Sequence, residues 1–399
     1  MITHRANGYI KAFIVFFLLA SEFPGCSQDP ASVGINIIPA GEKYGAHSMT
    51  IAAYNDTSFK VAAANGAGSY VLLGSSAGTD VKALLRFDGI FPVALDSVHI
   101  DTAKLILTVG YTWNLGSAPA QFEINEVTTP WTSASVTADS LNSLVFVPTN
   151  SATFSNADTI GTGREMIATL DTSLVRRWIN NSLDTSRSQF FSIAVSATSG
   201  SPNAGVWGFT EFGTATPPVL RIIYTVNGVK DSADVNTGDD TFLATRTSPP
   251  QPGFIEIQGG VSVRSRVSFN LKAISDSVKK AIVNNATVEM TLNNSLSILG
   301  AGAPDSILAF VAAVAEPPDS VAILYYAYGY RKDATQTTNS VYTFSVSLMA
   351  QDWINRPSSN FGLVLHSATD ITSLDKLVFY SSKDSTKGPR LSVTYTIKN

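Results

Sequence analysis

Short stretches in which apolar and polar residues alternate recur along most of this 399-residue chain. Val81 to Asp88, Thr102 to Val109, Gln121 to Val127, Gln189 to Ala197 and Leu220 to Val226 all read this way, and all are bounded by Gly, Pro, Asn or Ser. A period of two sends successive side chains to opposite faces of a strand, where β-branched and aromatic residues pack well. These stretches predict β-strands. One segment breaks the period: Leu174, Val175, Trp178 and Ile179 share the spacing of a single helical face. It predicts a short amphipathic helix from about Ser173 to Asn180, packed by its tryptophan onto a sheet, with the Thr172 hydroxyl placed to cap the N-terminus.

The pattern then repeats. Met349, Ala350, Trp353 and Ile354 reproduce the helical spacing, and Trp178-Ile179-Asn180 becomes Trp353-Ile354-Asn355. Pro218 to Val226 parallels Pro389 to Ile397, and Lys82 to Asp88 aligns with Arg264 to Asn270. The helices are offset by 175 residues and the last strands by 171, from 353 against 178 and 395 against 224. Anchors in the same order at similar offsets predict a duplication. The chain is also too long for one comfortable core, so two domains are expected. The boundary is expected near Asn227 to Asp240, a polar Gly/Asp/Asn stretch, which gives repeats at 49–228 and 229–399.

The N-terminus differs. Arg5 and Lys11 precede an apolar run from Ala12 to Ala20, followed by Phe23-Pro24-Gly25-Cys26. This is the layout of a secretory signal peptide, and the run is too short for a comfortable membrane span. Cys26 is the only cysteine, so it has no partner for an intramolecular disulfide. A small residue directly before a lone cysteine resembles the lipobox of bacterial lipoproteins, although Pro24 stands where a small or β-branched residue is usual. The resemblance implies that residues 1–25 are removed, that Cys26 carries the lipid, and that residues 26–48 form a spacer above the membrane. At about 0.8 kcal/mol per buried methylene, two or three acyl chains give lasting attachment. The expected location is the outer membrane or cell surface. Of 27 basic and 31 acidic residues, loss of Arg5, Lys11 and Glu22 leaves 25 and 30, a net charge of −5. No basic cluster points to nucleic acid.

Several motifs together resemble the DNRLRE-type domain, a β-sandwich module of secreted bacterial proteins that includes a carbohydrate-binding family. They are Leu85-Arg86-Phe87-Asp88, Trp131 with Val136-Thr137, the Trp-Ile-Asn helix ends, Asn360-Phe361-Gly362-Leu363, and the closing Pro-x-Leu-x-(Val/Ile)-x-Tyr. The second copy departs by carrying Ser268 where the first has Arg86, and by lacking the Trp-Val-Thr motif. Neither copy keeps a Ser-Arg-Glu before its last strand. The resemblance implies an all-β chain of two tandem jelly-roll-like β-sandwiches, each with one short amphipathic helix, and a polysaccharide ligand held chiefly by the first copy.

Catalytic chemistry is sparse. His4 leaves with the signal, and His47, His99 and His366 share no metal-ligand spacing. No nucleophile-elbow, Walker or dinucleotide motif occurs in a supporting context. Glu123 and Glu126, three apart on a strand, are expected on opposite faces, and Asp239-Asp240 falls in the expected linker. No enzyme activity is expected. The resemblance to sugar-binding sandwiches implies that calcium is common, but Asp56, Asp80 and Asp88 are scattered and form no EF-hand-like loop, so the metal content stays open.

Sugar binding needs aromatic faces for the apolar patches of pyranose rings. Trp113, in a polar loop, and Trp131, after Pro130, are candidate platforms, and Trp207 is a candidate to share a groove with Arg86. Core or loop packing is the alternative for each. Tyr326, Tyr328 and Tyr330 share one strand face, fitting either a glycan or a protein partner, or a half-buried edge strand. The expected function is non-catalytic polysaccharide binding. The alternative is a structural or adhesive envelope protein, with envelope proteins as partners and the sandwiches as spacers or assembly units. Exposed tryptophans in a groove favour the first; a packed Trp113 and Trp131 favour the second.

Overall fold

The computed structural model describes residues 44–398 apart from 63–64, 67, 89–97, 117–120, 154–162, 185, 199–204, 278–280, 302–305, 316–320 and 333–339. The expected signal peptide, Cys26 and most of the expected spacer lie outside the described residues. Ser48–Tyr395 forms one compact unit.

The chain is all-β with short helices, and its strands form two ten-stranded antiparallel sheets. Sheet one contains β2 (Tyr70–Ser76), β3 (Thr79–Phe87), β4 (Val98–Trp113), β5 (Gln121–Val127), β6 (Phe146–Thr153), β7 (Arg164–Leu170), β8 (Phe191–Ala197), β9 (Gly205–Thr210), β10 (Val219–Val226) and β11 (Val229–Arg246). Sheet two contains β1 (Tyr44–Lys60), β12 (Phe254–Gln258), β13 (Val263–Phe269), β14 (Ala281–Thr291), β15 (Ser306–Ala312), β16 (Val321–Arg331), β17 (Val341–Ser345), β18 (Leu363–Ser367), β19 (Lys376–Tyr380) and β20 (Arg390–Lys398).

The two sheets correspond strand for strand. β3 pairs with β8, β8 with β5, β5 with β6, and β4 with both β7 and β10. In sheet two, β13 pairs with β18, β18 with β15, β15 with β16, and β14 with both β17 and β20. The helices match as well. The first, α1 (Thr172–Ser182), buries Leu174, Val175, Trp178 and Ile179, with Trp178 between Phe87 and Phe191. After the short α2 (Lys272–Ser277) comes α3 (Ser347–Asn355), which buries Met349, Ala350, Trp353 and Ile354. The cap differs from expectation. The Asp171 carboxylate, not the Thr172 hydroxyl, accepts the Ser173 N–H at 2.8 Å. A carboxylate there also meets the positive end of the helix dipole.

The stretch expected as a boundary, 227–240, is mostly strand. Asn227 and Gly228 take positive φ of 50° and 77° and form a two-residue turn between Val226 and Val229, which are paired. Asn-Gly suits such a hairpin turn because both central residues need left-handed backbone. The polar composition marked a hairpin, and β11 continues for 18 residues beyond it.

That long strand stays with sheet one: its first half pairs with β10 and its second half with β3. β1 holds the same place in sheet two, beside β20 and then β13. Both bulge at the same point, between Thr237 and Asp239 and between Ala53 and Asn55. Asp240 accepts the Phe212 N–H at 2.6 Å, and Asp56 accepts the Ser382 N–H at 2.6 Å. In chain order, however, β1 precedes the strands of sheet one and β11 precedes those of sheet two. β1 and β11 are thus exchanged: each completes the sheet that does not hold the strands following it in the chain.

A buried joint couples the sheets further. Val261, Val263 and Leu374 belong to the same core cluster as Tyr111, Trp113 and Phe242. The Tyr111 hydroxyl donates to Asp375 at 3.0 Å and accepts the Leu374 N–H at 3.1 Å. Thr112 and Ala301 exchange backbone hydrogen bonds of 3.0 and 2.8 Å. Gly300 allows this approach, since a Cβ there would lie 2.4 Å from the Tyr111 ring.

Candidate binding surface

Alternation along β16 decides which of its side chains meet solvent. Ala327 and Gly329 point inward, and a Cβ on Gly329 would come within 2.2 Å of the Phe344 ring. Glycine is therefore needed there, and Tyr326, Tyr328 and Tyr330 face outward at 59%, 48% and 58% exposure. Tyr326 and Tyr328 meet edge-on at 5.9 Å between centroids, and Tyr328 stacks on Tyr330 at 6.2 Å.

The row continues across the sheet. Register places Phe310 beside Tyr326 and Leu308 between Tyr328 and His366. Phe310 lies 6.2 Å from Tyr326 and stacks flat on His366 at 5.1 Å. Burial and the neighbouring Arg264 push His366 down to about 4, so its imidazole is neutral at ordinary pH. At the Tyr326 end, a pocket of about 320 Å³ opens between Tyr326, Ser345, Ser347 and the exposed Leu348. Three exposed tyrosines, continued by the half-buried Phe310 and His366 and bordered by hydroxyls, offer stacking faces and hydrogen bonds to a flat or extended partner. Phe310, Leu308 and His366 carry no motif. Their membership in this surface follows from strand register, which a single sequence does not specify.

The tryptophans lie elsewhere. Trp113 is not in a loop: it ends β4, on the face that carries Leu105, Leu107, Val109 and Tyr111, and is 1% exposed. Its indole N–H donates to the Ile298 carbonyl at 3.2 Å, making it part of the joint. The alternation that places Leu105 to Tyr111 inward extends two residues further and was the readable signal. Trp131 is 5% exposed and plugs a satellite cluster with Leu84, Val127, Val136, Ala194 and Leu243, its N–H bonded to Ser192 Oγ at 2.9 Å. Trp131 and Val136 of the Trp-Val-Thr motif therefore cover the outer side of the sheet. Trp207 is 1% exposed and packs edge-on against Phe122 in the main core. Arg86 alternates to the opposite face of β3 from the core-facing Leu85 and Phe87, so no shared groove forms with Trp207. The Arg86 guanidinium forks between Asp88 at 2.9 Å and Asp239 at 3.2 Å.

The carboxylates are occupied in structural roles. Glu126 binds the Trp178 indole N–H at 2.8 Å and pairs with Arg177, while Glu123 accepts from Ser196 Oγ at 3.1 Å. Asp240 lies in β11 rather than in a linker. Burial, with Glu211 and Asp239 close by, raises its carboxyl to about 7 despite the Phe212 N–H it accepts. Among the described residues, no group of three or more His, Cys, Asp or Glu is placed to hold a metal, and no helix is long and apolar enough to cross a membrane. No protein-family model matches the chain, and no curated protein matches it.

Proposed function

We propose that the chain is a non-catalytic structural or adhesive protein of the cell surface, lipid-anchored at Cys26, whose two modules act as one assembly unit. We read each module as a jelly-roll-like sandwich. The observation that carries the structural reading is the packing of Trp113 and Trp131. Groups placed to stack on sugars instead lock the joint and plug the sheet. The outward tyrosine row then serves as the contact surface toward envelope proteins.

A second reading, polysaccharide binding, is favoured by that row, since Tyr326, Tyr328 and Tyr330 offer solvent-facing rings. The full chain and its Tyr328→Ala variant, run through polysaccharide affinity gels and chemically cross-linked on cells, separate the two readings. Cross-linked oligomers with no retardation by any glycan support the structural role. Retardation that is lost in Tyr328→Ala establishes glycan binding and removes the structural role as the sole function. Because the side chain is half exposed, this variant is expected to stay within about 0.5 kcal/mol of wild-type stability.

A further inference from the structure

The exchanged strands are unequal. β11 is held at both ends, by the Asn227-Gly228 turn to β10 and by 247–253 to β12, and it buries Val235, Thr237, Asp240, Thr241, Phe242, Leu243 and Ala244. β1 joins the rest of the described chain through 61–69 alone. Of its residues 48–60, only Ala53 is fully buried. Its hold on sheet two is mainly backbone pairing: seven residue pairs with β13 and the Ala53 N–H to the Pro389 carbonyl at 2.9 Å. Side-chain bonds add Ser58 to Ser265 at 2.8 Å and to the Glu256 N–H at 2.9 Å, Asp56 to the Ser382 N–H at 2.6 Å, Thr50 to Ser392 at 3.3 Å and Ser48 to Thr394 at 3.1 Å. A strand whose one fully buried side chain is an alanine, with Ile51 and Phe59 half-buried, is released by local opening at less cost than one carrying a core aromatic.

Without β1, sheet two presents two unpaired edges, on β20 and β13, which form a slot for an added strand. Every contact in that slot is the same whichever copy of the chain supplies the strand. Exchange of an identical element is a low-cost route to assembly. We propose that β1 is a donor strand, inserted into sheet two of a second copy of this chain, so that copies link head to tail. This rests on the structural reading above and names its partner. Tethering within one chain gives an effective concentration on the order of millimolar, so exchange is favoured where copies crowd on a surface.

Two differently tagged full chains, one Ser58→Cys and the other Ser265→Cys, are co-expressed and oxidised in the envelope. The expected result is a disulfide-linked heterodimer: the band shifts from one chain to two and yields the 58–265 cross-linked peptide. A single chain carrying both substitutions should give a covalent ladder above its monomer-mass product. Thr50→Cys with Ser392→Cys repeats the test at exposed positions, should the first pair fold poorly. No heterodimer from either pair, with the double variant closed only within itself, overturns strand donation. If wild-type chains are still chemically cross-linked into oligomers in that case, the assembly reading stands and only the donor strand fails. If they are not, both fail.

Discussion

Replacing Trp113 by alanine separates its place in the joint from a role as a sugar platform. The indole is almost completely buried, and truncating such a side chain costs about 3–5 kcal/mol in transfer and cavity terms. The lost N–H bond adds little, about 1 kcal/mol, because the Ile298 carbonyl keeps the Lys376 N–H at 2.8 Å. The total, about 4–6 kcal/mol, raises the unfolding constant roughly a thousandfold or more. At about 2.1 cal/mol/K per residue, the roughly 350 residues of the compact unit give an unfolding entropy near 0.7 kcal/mol/K, so Tm falls by about 6–8 °C. Urea unfolding followed by circular dichroism should show a lower midpoint at unchanged slope. Trp113→Phe, which keeps most of the ring, should lose much less. A loss below about 1 kcal/mol for Trp113→Ala would refute the joint, and a stable variant that no longer binds a glycan would restore the platform.

Two further perturbations test buried charge. Asp240 has its carboxyl raised to about 7 in the fold, above an unfolded value near 4, so the folded state holds the proton more tightly. Its stabilising contribution is complete below pH 4 and is lost as pH rises toward 7. Asp240→Asn should flatten that slope in thermal melts taken from pH 4 to 8, and an unchanged slope would show that Asp240 is not its source. Arg246 pairs with the fully buried Glu256, which also holds the Gln251 N–H at 2.6 Å and the Lys376 ammonium at 4.0 Å, so Arg246→Ala removes one charged partner of three and should cost about 1.5–3 kcal/mol in denaturant titrations. Arg246→Met with Glu256→Met should recover most of the loss; if it does not, the pair itself stabilises the connection.

Much of the fold was written in local pattern. The strands around Leu85, Leu105 and Ile222 and the helical faces of Trp178 and Trp353 follow from residue spacing, because pleat and helix impose their periods on any chain. The matching helices and last strands were legible for the same reason: similar patterns fold into similar elements. The tyrosines of β16 were assigned to one face correctly, since alternation alone sets it.

What the sequence left open concerns partners. Whether Trp113 meets water or the Ile298 carbonyl depends on a segment 185 residues away. Asp239-Asp240 reads as linker until β11 is seen pairing with β3, and an Asn-Gly dipeptide marks a hairpin or a boundary equally well. The addition of Phe310 and His366 to the tyrosine row was decided by register between strands. The exchange of β1 and β11 was decided by chain crossover alone. Period and composition mark each as a strand and do not say which sheet's edge it joins. Only the packed three-dimensional arrangement selects which edge each strand completes.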